Sequence, residues 1–305
     1  MLKKNLKSSS KGLLSSSDKR AYYVLMLPFM LFFTVFTILP VLSSMVLSFF
    51  SYDMVSFPKF IGLDNYLRMV VSDEVFLKAT VNTLKISVIV GPLGFLLSFV
   101  LAWFINEFTP VLRGVLAFLF YVPALVGNAY FVWQVAFSGD SYGYVNSLLI
   151  SLGFITDPIN WFKNVSYNMT IIIIIQLWMS MGVGFLANIA GFQNVNPELY
   201  EAGALDGIKS RWHELWYITL PGMKSMLFFS MVMQIQATFS IGGVITTLAG
   251  YPSVNNSVDT LVSLIADVGT TRYEMGYASA ISVFLFTIMI IARYLSGKIL
   301  NYLGR

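Results

Sequence analysis

Six long stretches of this chain contain no Asp, Glu, Lys or Arg. An α-helix needs about 20 apolar residues to cross the hydrocarbon core of a bilayer. Only 11% of the 305 residues are charged, against about 25% in soluble domains. The pattern predicts an all-α, polytopic integral membrane protein with six transmembrane helices. The stretches are residues 21–52, 86–106, 114–139, 164–197, 225–258 and 275–292.

Two further segments are predicted to lie outside the membrane. Residues 141–156 are uncharged but interrupted by Gly and Ser, and Asp157 follows them. The fifth helix is expected to end or deform near Gly250, because the glycines around it interrupt helical propensity. Residues 251–274 would then form an external loop. The loop aspartates are expected to be solvated: Asp140, Asp157, Asp259 and Asp267.

The distribution of basic residues predicts the orientation of the chain. If the N-terminus lies inside, 13 of the 19 Lys and Arg residues fall in inside segments, as the positive-inside rule requires. Both termini are therefore placed in the cytoplasm, and the chain is expected to lie in the plasma (inner) membrane of a bacterium. Residues 1–20 are interpreted as a solvated cytoplasmic tail. The excess of positive charge indicates anionic lipid as a partner rather than nucleic acid.

The predicted helices lack the groups that drive transport. They contain no ionisable relay of the kind found in pumps and proton-coupled carriers, and the chain has no phosphate-binding loop. With no Cys and a single His213, no metal site and no cofactor are predicted. Energy would have to come from a partner. Three alternatives remain: a self-sufficient neutral-solute channel or carrier, a permease for a non-sugar solute, and a membrane enzyme or scaffold.

Small and neutral polar residues recur every four residues in the fourth and fifth predicted helices, and the third adds two amides flanked by aromatic residues. Such residues either pack helix against helix or form a path for a neutral, hydroxyl-rich solute, with aromatic rings and amides around it. The candidate path residues are Asn128, Tyr130, Trp133, Gln134, Gln176, Ser180, Asn188, Gln234, Thr238 and Thr246.

The segment 196–221 between the fourth and fifth helices predicts a short capped helix. Asn196 suits the N-cap and Pro197 the first helical position, and Gly207 suits the end of the helix. Leu199, Ala202 and Leu205 would share one face, while Trp212, Leu215 and Trp216 would form a second apolar patch. Such a helix either fills a groove in a partner protein or lies on lipid.

This segment resembles the EAA loop of permease subunits in binding-protein-dependent ABC importers. The family pattern is Glu-Ala-Ala, three residues, Gly, nine residues, Ile, one residue, Leu-Pro. Gly203 replaces the second alanine, and ten residues separate Gly207 from Ile218, which predicts one extra residue near Lys209 and Ser210. Further similarity to the family and its sugar-permease branch lies at residues 60–66, 82–84, 260–262 and 276–280.

The resemblance implies the type I ABC importer permease fold, with a first helix at 21–52 and a five-helix core at 77–300. It also implies a second related permease, two ATPase subunits that use ATP and Mg²⁺, and an extracytoplasmic binding protein. The solute would be a sugar or oligosaccharide, moved by alternating access, and the chain would not be an enzyme. The coupling residues implied are Leu199, Glu201, Ala202, Gly203, Leu205, Asp206 and Gly207.

Overall fold

The computed structural model describes residues 16–303 and is almost entirely helical. Residues 1–15 of the predicted tail lie outside the described residues, and the first helix begins at Ser16. The α-helices are α1 (Ser16–Phe33), α2 (Leu39–Leu47), α3 (Asp64–Val71), α4 (Glu74–Asn106), α5 (Pro110–Leu125), α6 (Phe131–Ala136), α7 (Tyr144–Ser151), α8 (Asn168–Met179), α9 (Val183–Asn194), α10 (Pro197–Leu205), α11 (Arg211–Glu214), α12 (Leu220–Gly222), α13 (Lys224–Phe239), α14 (Gly243–Leu248), α15 (Leu261–Ala266) and α16 (Met275–Leu303).

Short irregular elements complete the chain. Strands β1 (Phe50–Ser51) and β2 (Lys59–Phe60) form an antiparallel hairpin. π-Helical turns lie at Thr34–Ile38, Leu215–Thr219 and Asp267–Thr271, and a 3-10 turn lies at Val254–Asn256. We refer to the side of the molecule that carries β1 and β2 as the hairpin end, and to the opposite side as the α10 end.

Five helical segments among the described residues are long and apolar enough to cross a membrane. They are Tyr23–Leu47, Glu74–Asn106, Asn168–Asn194, Lys224–Leu248 and Met275–Lys298. The third predicted span is covered by α5, with 16 residues or about 24 Å of helix, and by the short α6. Gly127 has φ of +63° between them, a left-handed conformation that ends α5 early.

The centre of the bundle is formed by α4, α9 and α13, which pack against one another. Helix α16 lies against α2, α13 and α15. By contrast, residues 23–42 of the first span are all exposed, and its contact with α16 lies in the second half of the span, in α2. That surface suits lipid or a neighbouring subunit.

Two of the spans are interrupted inside the bundle. Helix α8 ends at Met179 and α9 begins at Val183, whereas α13 ends at Phe239 and α14 begins at Gly243. We call residues 180–182 and 240–242 the two breaks. The fifth span ends where it is predicted to end, since α14 ends at Leu248 and Gly250 has φ of +81°. The break at 240–242 is an additional interruption of this span.

Residues 251–274, predicted as an external loop, are folded rather than irregular. They fold back as the 3-10 turn, α15 and the π-helical turn, and Val258, Leu261 and Val268 are completely buried. Thr260 and Ser263 form a capping box that starts α15, and the apolar side chains of α15 pack against α4 and α16. The sequence did not predict this helix, because its apolar pattern is short and its capping residues are only a weak signal in the sequence.

Asp259 is also not a solvated loop charge. Its side chain is completely buried, and it accepts hydrogen bonds from the Ser253 N–H at 3.1 and 3.2 Å. The Asn82 amide donates to the backbone carbonyls of Asn256 and Asp259 at 2.9 and 3.0 Å. These bonds tie the folded-back segment to α4.

We expect Asp259→Asn to weaken the pH dependence of stability. Burial raises the pKa of the Asp259 carboxyl, and the nearby charge of Asp267 raises it further, against the lowering effect of the Ser253 hydrogen bonds. The contribution of Asp259 to stability is therefore fully present below the pKa of the unfolded state and is lost as pH rises through the raised pKa of the folded state. Asn keeps an oxygen for the Ser253 N–H without the charge.

Thermal unfolding of the purified protein across a pH series tests this prediction, with Asp157→Asn at an exposed loop position as the control. The melting temperature of Asp259→Asn should equal or exceed that of the wild type at high pH. A lower melting temperature at every pH would contradict the prediction.

Candidate functional site

The first part of the candidate site is helix α10, whose two ends are capped as predicted. The Asn196 side chain accepts from the Glu198 N–H at 3.1 Å, and Pro197 occupies the first helical position. At the other end Gly207 has φ of +91°. The N–H groups of Gly207 and Ile208 donate to the carbonyls of Ala204 and Gly203, which is the Schellman arrangement.

One face of α10 is exposed in the part of the chain that the structure describes. Leu205 is 90% exposed and Leu199 49% exposed, and Glu201 and Ala202 are exposed beside them. Asp206 and Gly207 are exposed at the end of the helix. Exposed apolar side chains that are grouped on one helix face, as Leu199, Ala202 and Leu205 are, are a feature of protein–protein contact surfaces.

Gly203 faces the opposite way, into the molecule. It is buried, and a Cβ atom there would lie 2.7 Å from Ile218 Cδ1. This close approach favours the glycine that replaces the alanine of the family pattern, because an alanine would require the end of the Ile218 side chain to shift. Gly203 therefore belongs to the seat of α10 rather than to its outer face.

The chain after α10 differs from prediction in two ways. Ser210 caps α11 normally, and Leu215–Thr219 forms a π-helical turn, which takes more residues than an α-helical turn. The π turn therefore provides room for an extra residue, as does the turn before α11. Of the predicted second apolar patch, Leu215 is buried, whereas Trp212 and Trp216 are 62% and 52% exposed. One edge of the Trp212 ring packs against Trp103.

The second part of the candidate site is a cavity of about 650 Å³ at the two breaks. Its lining includes Ser180 and Gly182 from one break and Ser240, Ile241 and Gly242 from the other. The remaining lining residues are Tyr121, Ala124, Gly127, Tyr130, Gln176, Met179, Val183, Gly184, Met233, Gln234, Gln236, Ala237, Gly243 and Val244.

The polar groups in this cavity are amides, hydroxyls and phenols. Gln176 and Gln234 are buried, with 8% and 6% of their surface exposed. The Gln234 amide makes only a long contact, 3.4 Å, to the Val90 carbonyl. Of the residues that the structure describes, those lining this cavity include no Asp, Glu, Lys, Arg or His. The cavity can therefore exchange hydrogen bonds with a neutral polar solute.

Comparison with known proteins identifies the family of this fold. The family described as "Binding-protein-dependent transport system inner membrane component" matches residues 86–302. The chain belongs to this family. It is a permease subunit of an ABC transporter and not itself an enzyme, and the alternative of a self-sufficient channel or carrier is not favoured.

Individual relatives cover nearly the whole permease. The arabinooligosaccharides transport system permease protein AraP of Bacillus subtilis (strain 168) is 30% identical over 93% of this chain and 89% of its own length. The trehalose/maltose transport system permease protein MalF of Thermococcus litoralis is 29% identical over 88% of this chain and 89% of its own.

Solved structures share the fold of the permease. The crystal structure of a bacterial ABC transporter involved in the import of the acidic polysaccharide alginate matches with a TM-score of 0.75 at 22% identity, over 94% of this chain and 98% of that chain. A second structure shows the bacterial alginate transporter with an alginate pentasaccharide-bound periplasmic protein, with a TM-score of 0.76 over 94% of this chain and 96% of that chain. The type I importer permease fold of this chain follows.

Of the ten predicted path residues, four line the cavity of the permease. They are Tyr130, Gln176, Ser180 and Gln234. Residues four apart are separated by slightly more than one helical turn, so each series of polar residues shifts gradually around its helix. The breaks also interrupt the helices, so residues beyond a break no longer share a face with those before it.

The other six predicted path residues lie elsewhere. Asn188 is completely buried and bonds to the Ser98 hydroxyl at 3.3 Å. Thr238 and Thr246 donate to backbone carbonyls of their own helices at 2.7 and 3.0 Å. Trp133 packs against Trp178. Asn128 accepts from the Tyr130 hydroxyl at 3.0 Å, and Gln134 is exposed outside the lining.

Sequence analysis missed three polar lining residues, Tyr121, Gln236 and Ser240. Gln236 lies two residues from Gln234 and so falls off any single helical stripe. Ser240 belongs to a break. A usable signal did exist, because Ser180-Met-Gly182 and Ser240-Ile-Gly242 repeat a Ser–apolar–Gly pattern in the middle of long apolar stretches.

A metal site is not supported within residues 16–303. No group of three His, Asp or Glu side chains in this part of the chain is placed to hold an ion. The solute cavity and α10 are therefore the two features from which function can be argued.

We expect Gly207→Ala to destabilise the end of α10. An L-residue in the left-handed conformation loses about 1–2 kcal/mol, and the free energy of unfolding should fall by about that amount. Gly114→Ala is the matched control, since Gly114 lies in α5, has no positive φ, and has open space around its Cα. Thermal unfolding in detergent measures the stability of both variants. Equal melting temperatures for the two variants would contradict the prediction.

Proposed function

We propose that this permease imports a neutral sugar or oligosaccharide. The uncharged cavity lined by amides, hydroxyls and two tyrosines supports the proposal most directly, because such groups match the hydroxyls and the apolar ring faces of a sugar. The relatives named for arabino-oligosaccharides and for trehalose and maltose agree with it. A permease for a non-sugar solute is the alternative that the test must exclude.

We propose that a second, related permease completes the path. The cavity of this chain is lined from one side by α5, α8, α9 and α13, and a partner of similar fold would close the other. An extracytoplasmic binding protein would deliver the solute to the hairpin end. Charge on the partner permease would widen the range of solutes beyond neutral sugars.

The exposed face of α10 supports a docking role for this helix. We propose that Leu199 and Leu205 enter a groove of an ATPase subunit and that Glu201 makes a polar contact at its edge. Ala202 allows the close approach, and Asp206 with Gly207 shapes the end of the helix. Each of two ATPase subunits would bind ATP and Mg²⁺ and receive one such helix.

The proposed orientation places α10 and both termini in the cytoplasm of a bacterial cell. The α10 end holds the α4–α5 turn, in which Arg113 donates to the carbonyls of Asn106 and Phe108 at 3.0 and 3.2 Å. Basic residues favour the cytoplasmic side. Closure of the ATPase pair would then move α10 and convert the cavity from inward-facing to outward-facing, as in alternating access.

Reconstitution of the assembled transporter tests this function. Vesicles that contain the permease with its partner permease and ATPase, together with the binding protein, should take up labelled arabinotriose, lactose or trehalose when ATP is enclosed in the vesicles. Galacturonate oligomers and glucose 6-phosphate serve as charged competitors. Uptake of only charged solutes, or uptake by this chain alone without ATPase, would overturn the proposal.

We predict that Glu201→Lys separates ATP hydrolysis from uptake. The reversed charge disturbs the outer face of α10 without altering its seat, since Glu201 is exposed. Uptake should fall by about tenfold while insertion into the membrane stays normal, because loss of a charged contact costs about 1.5–3 kcal/mol. Uptake and ATP hydrolysis are measured on the same vesicles.

Asp157→Lys is the matched control for this charge reversal, because Asp157 is exposed in a loop far from α10 along the chain. It should transport as the wild type does. Equal uptake and equal substrate-stimulated hydrolysis in Glu201→Lys and Asp157→Lys would count against docking through α10.

We predict that Gln176→Leu lowers the apparent affinity for the solute. Leu has a side chain of similar size but removes an amide from the cavity wall. The loss of one hydrogen bond to the solute corresponds to a roughly five- to tenfold weaker affinity. The KM for uptake should rise and basal ATP hydrolysis should stay unchanged. Gln193→Leu at an exposed position outside this cavity is the control. An unchanged KM in Gln176→Leu would remove Gln176 from the path.

A further inference from the structure

The two breaks enclose one continuous part of the chain. We call residues 183–239 the central segment; it begins with α9, passes through α10 and the π-helical turn, and ends with α13. At each break a Ser caps the preceding helix and a Gly caps the next. Both breaks line the same cavity. The central segment thus runs from the cavity to α10 and back to the cavity.

The two long helices of the central segment are packed tightly together. A Cβ atom at Gly191 would lie 2.8 Å from Met223 Cε, and one at Gly184 would lie 3.0 Å from the Ser230 carbonyl oxygen. Interiors packed without voids transmit displacement rather than absorb it. Helices α9 and α13 are therefore expected to move together.

Helix α10 is attached to these two helices in different ways. It follows α9 directly along the chain, with only Val195 and Asn196 between them. Its connection to α13 is indirect and consists of side-chain contacts with the π-helical turn that lies before α12 and α13. Besides the packing of Gly203 on Ile218, the Tyr200 hydroxyl lies 2.9 Å from Thr219 Oγ1.

The direction of this hydrogen bond follows from the other contact of Thr219. Its hydroxyl donates to the Glu214 carbonyl oxygen at 3.2 Å. Since the hydroxyl has one proton, Tyr200 is the donor and Thr219 the acceptor in the first bond. A chain of two hydrogen bonds therefore runs from α10 to the backbone at the start of the π-helical turn. Thr219 is 5% exposed, so water competes little for these bonds.

We propose that Tyr200 and Thr219 are positioning residues for energy coupling. Their hydrogen-bond chain fixes α10 to the π-helical turn, so that the central segment moves as one body between the two breaks. Force applied to the exposed face of α10 then reaches Gly182 and Gly242 together. The proposal rests on the proposed function in one respect, namely that an ATPase subunit supplies this force.

Loss of either hydroxyl should let α10 tilt on the Gly203–Ile218 contact. ATP-driven movement would then be taken up by α10 itself and would not reach the cavity. The expected signature is uncoupling, in which hydrolysis continues and transport stops. A loss of folding would instead lower both activities and the amount of protein in the membrane.

The first experiment measures the attachment without any partner. Because the chain has no Cys, spin labels can be placed at Glu198→Cys on α10 and Ser225→Cys on α13, both exposed positions. The distance distribution in nanodiscs should broaden in Tyr200→Phe and in Thr219→Val. It should stay narrow in Thr219→Ser, which restores the hydroxyl, and in the control Tyr217→Phe, an exposed tyrosine of the π-helical turn.

The second experiment uses the assembled transporter with labelled arabinotriose, lactose and trehalose. Tyr200→Phe and Thr219→Val should hydrolyse ATP at nearly the wild-type rate while uptake falls by about tenfold, and Thr219→Ser should restore uptake. Narrow distance distributions in both variants, or a Thr219→Ser variant as impaired as Thr219→Val, would overturn the proposal. Absence of ATP-dependent uptake in the wild type would instead refute the proposed function, and the distance measurement would still decide the attachment.

Discussion

The structure depends on the absence of water in the bilayer core, where each backbone N–H and C=O must find a partner inside the protein. Interrupted helices are tolerated there only when they are buried or face a wet cavity. The breaks at 180–182 and 240–242 satisfy this condition, because both line the same cavity. Irregular backbone and neutral polar side chains thus occur together, which is the physical basis for locating the solute path at this point.

The same constraint separates the two functional parts of the permease. The solute cavity lies between apolar helices and contains uncharged polar groups, whereas α10 lies beyond them and exposes Leu205 and Glu201. Neither part performs chemistry. The closely packed helices α9 and α13 connect them, and in the proposed mechanism they link docking at α10 to solute movement in the cavity.

Sequence reasoning recovered the features that depend on local rules. The all-α membrane class followed from the uncharged stretches, and both caps of α10 followed from Asn196, Pro197 and Gly207. It was less successful where tertiary contacts decide. The burial of Asp259 depends on a fold-back onto α4, and the inward position of Gly203 depends on Ile218 fifteen residues away. Periodicity also could not place Gln236 in the cavity, because the wall combines several helices on both sides of a break.

The most direct test of the account is the accessibility of Ser240 in the assembled transporter. Because the chain has no Cys, Ser240→Cys provides a single thiol in the cavity wall. Without nucleotide, a membrane-impermeant maleimide should label it only from the α10 end. With a non-hydrolysable ATP analogue, labelling should come only from the hairpin end. Labelling from the same end in both states would contradict a path that α10 opens and closes.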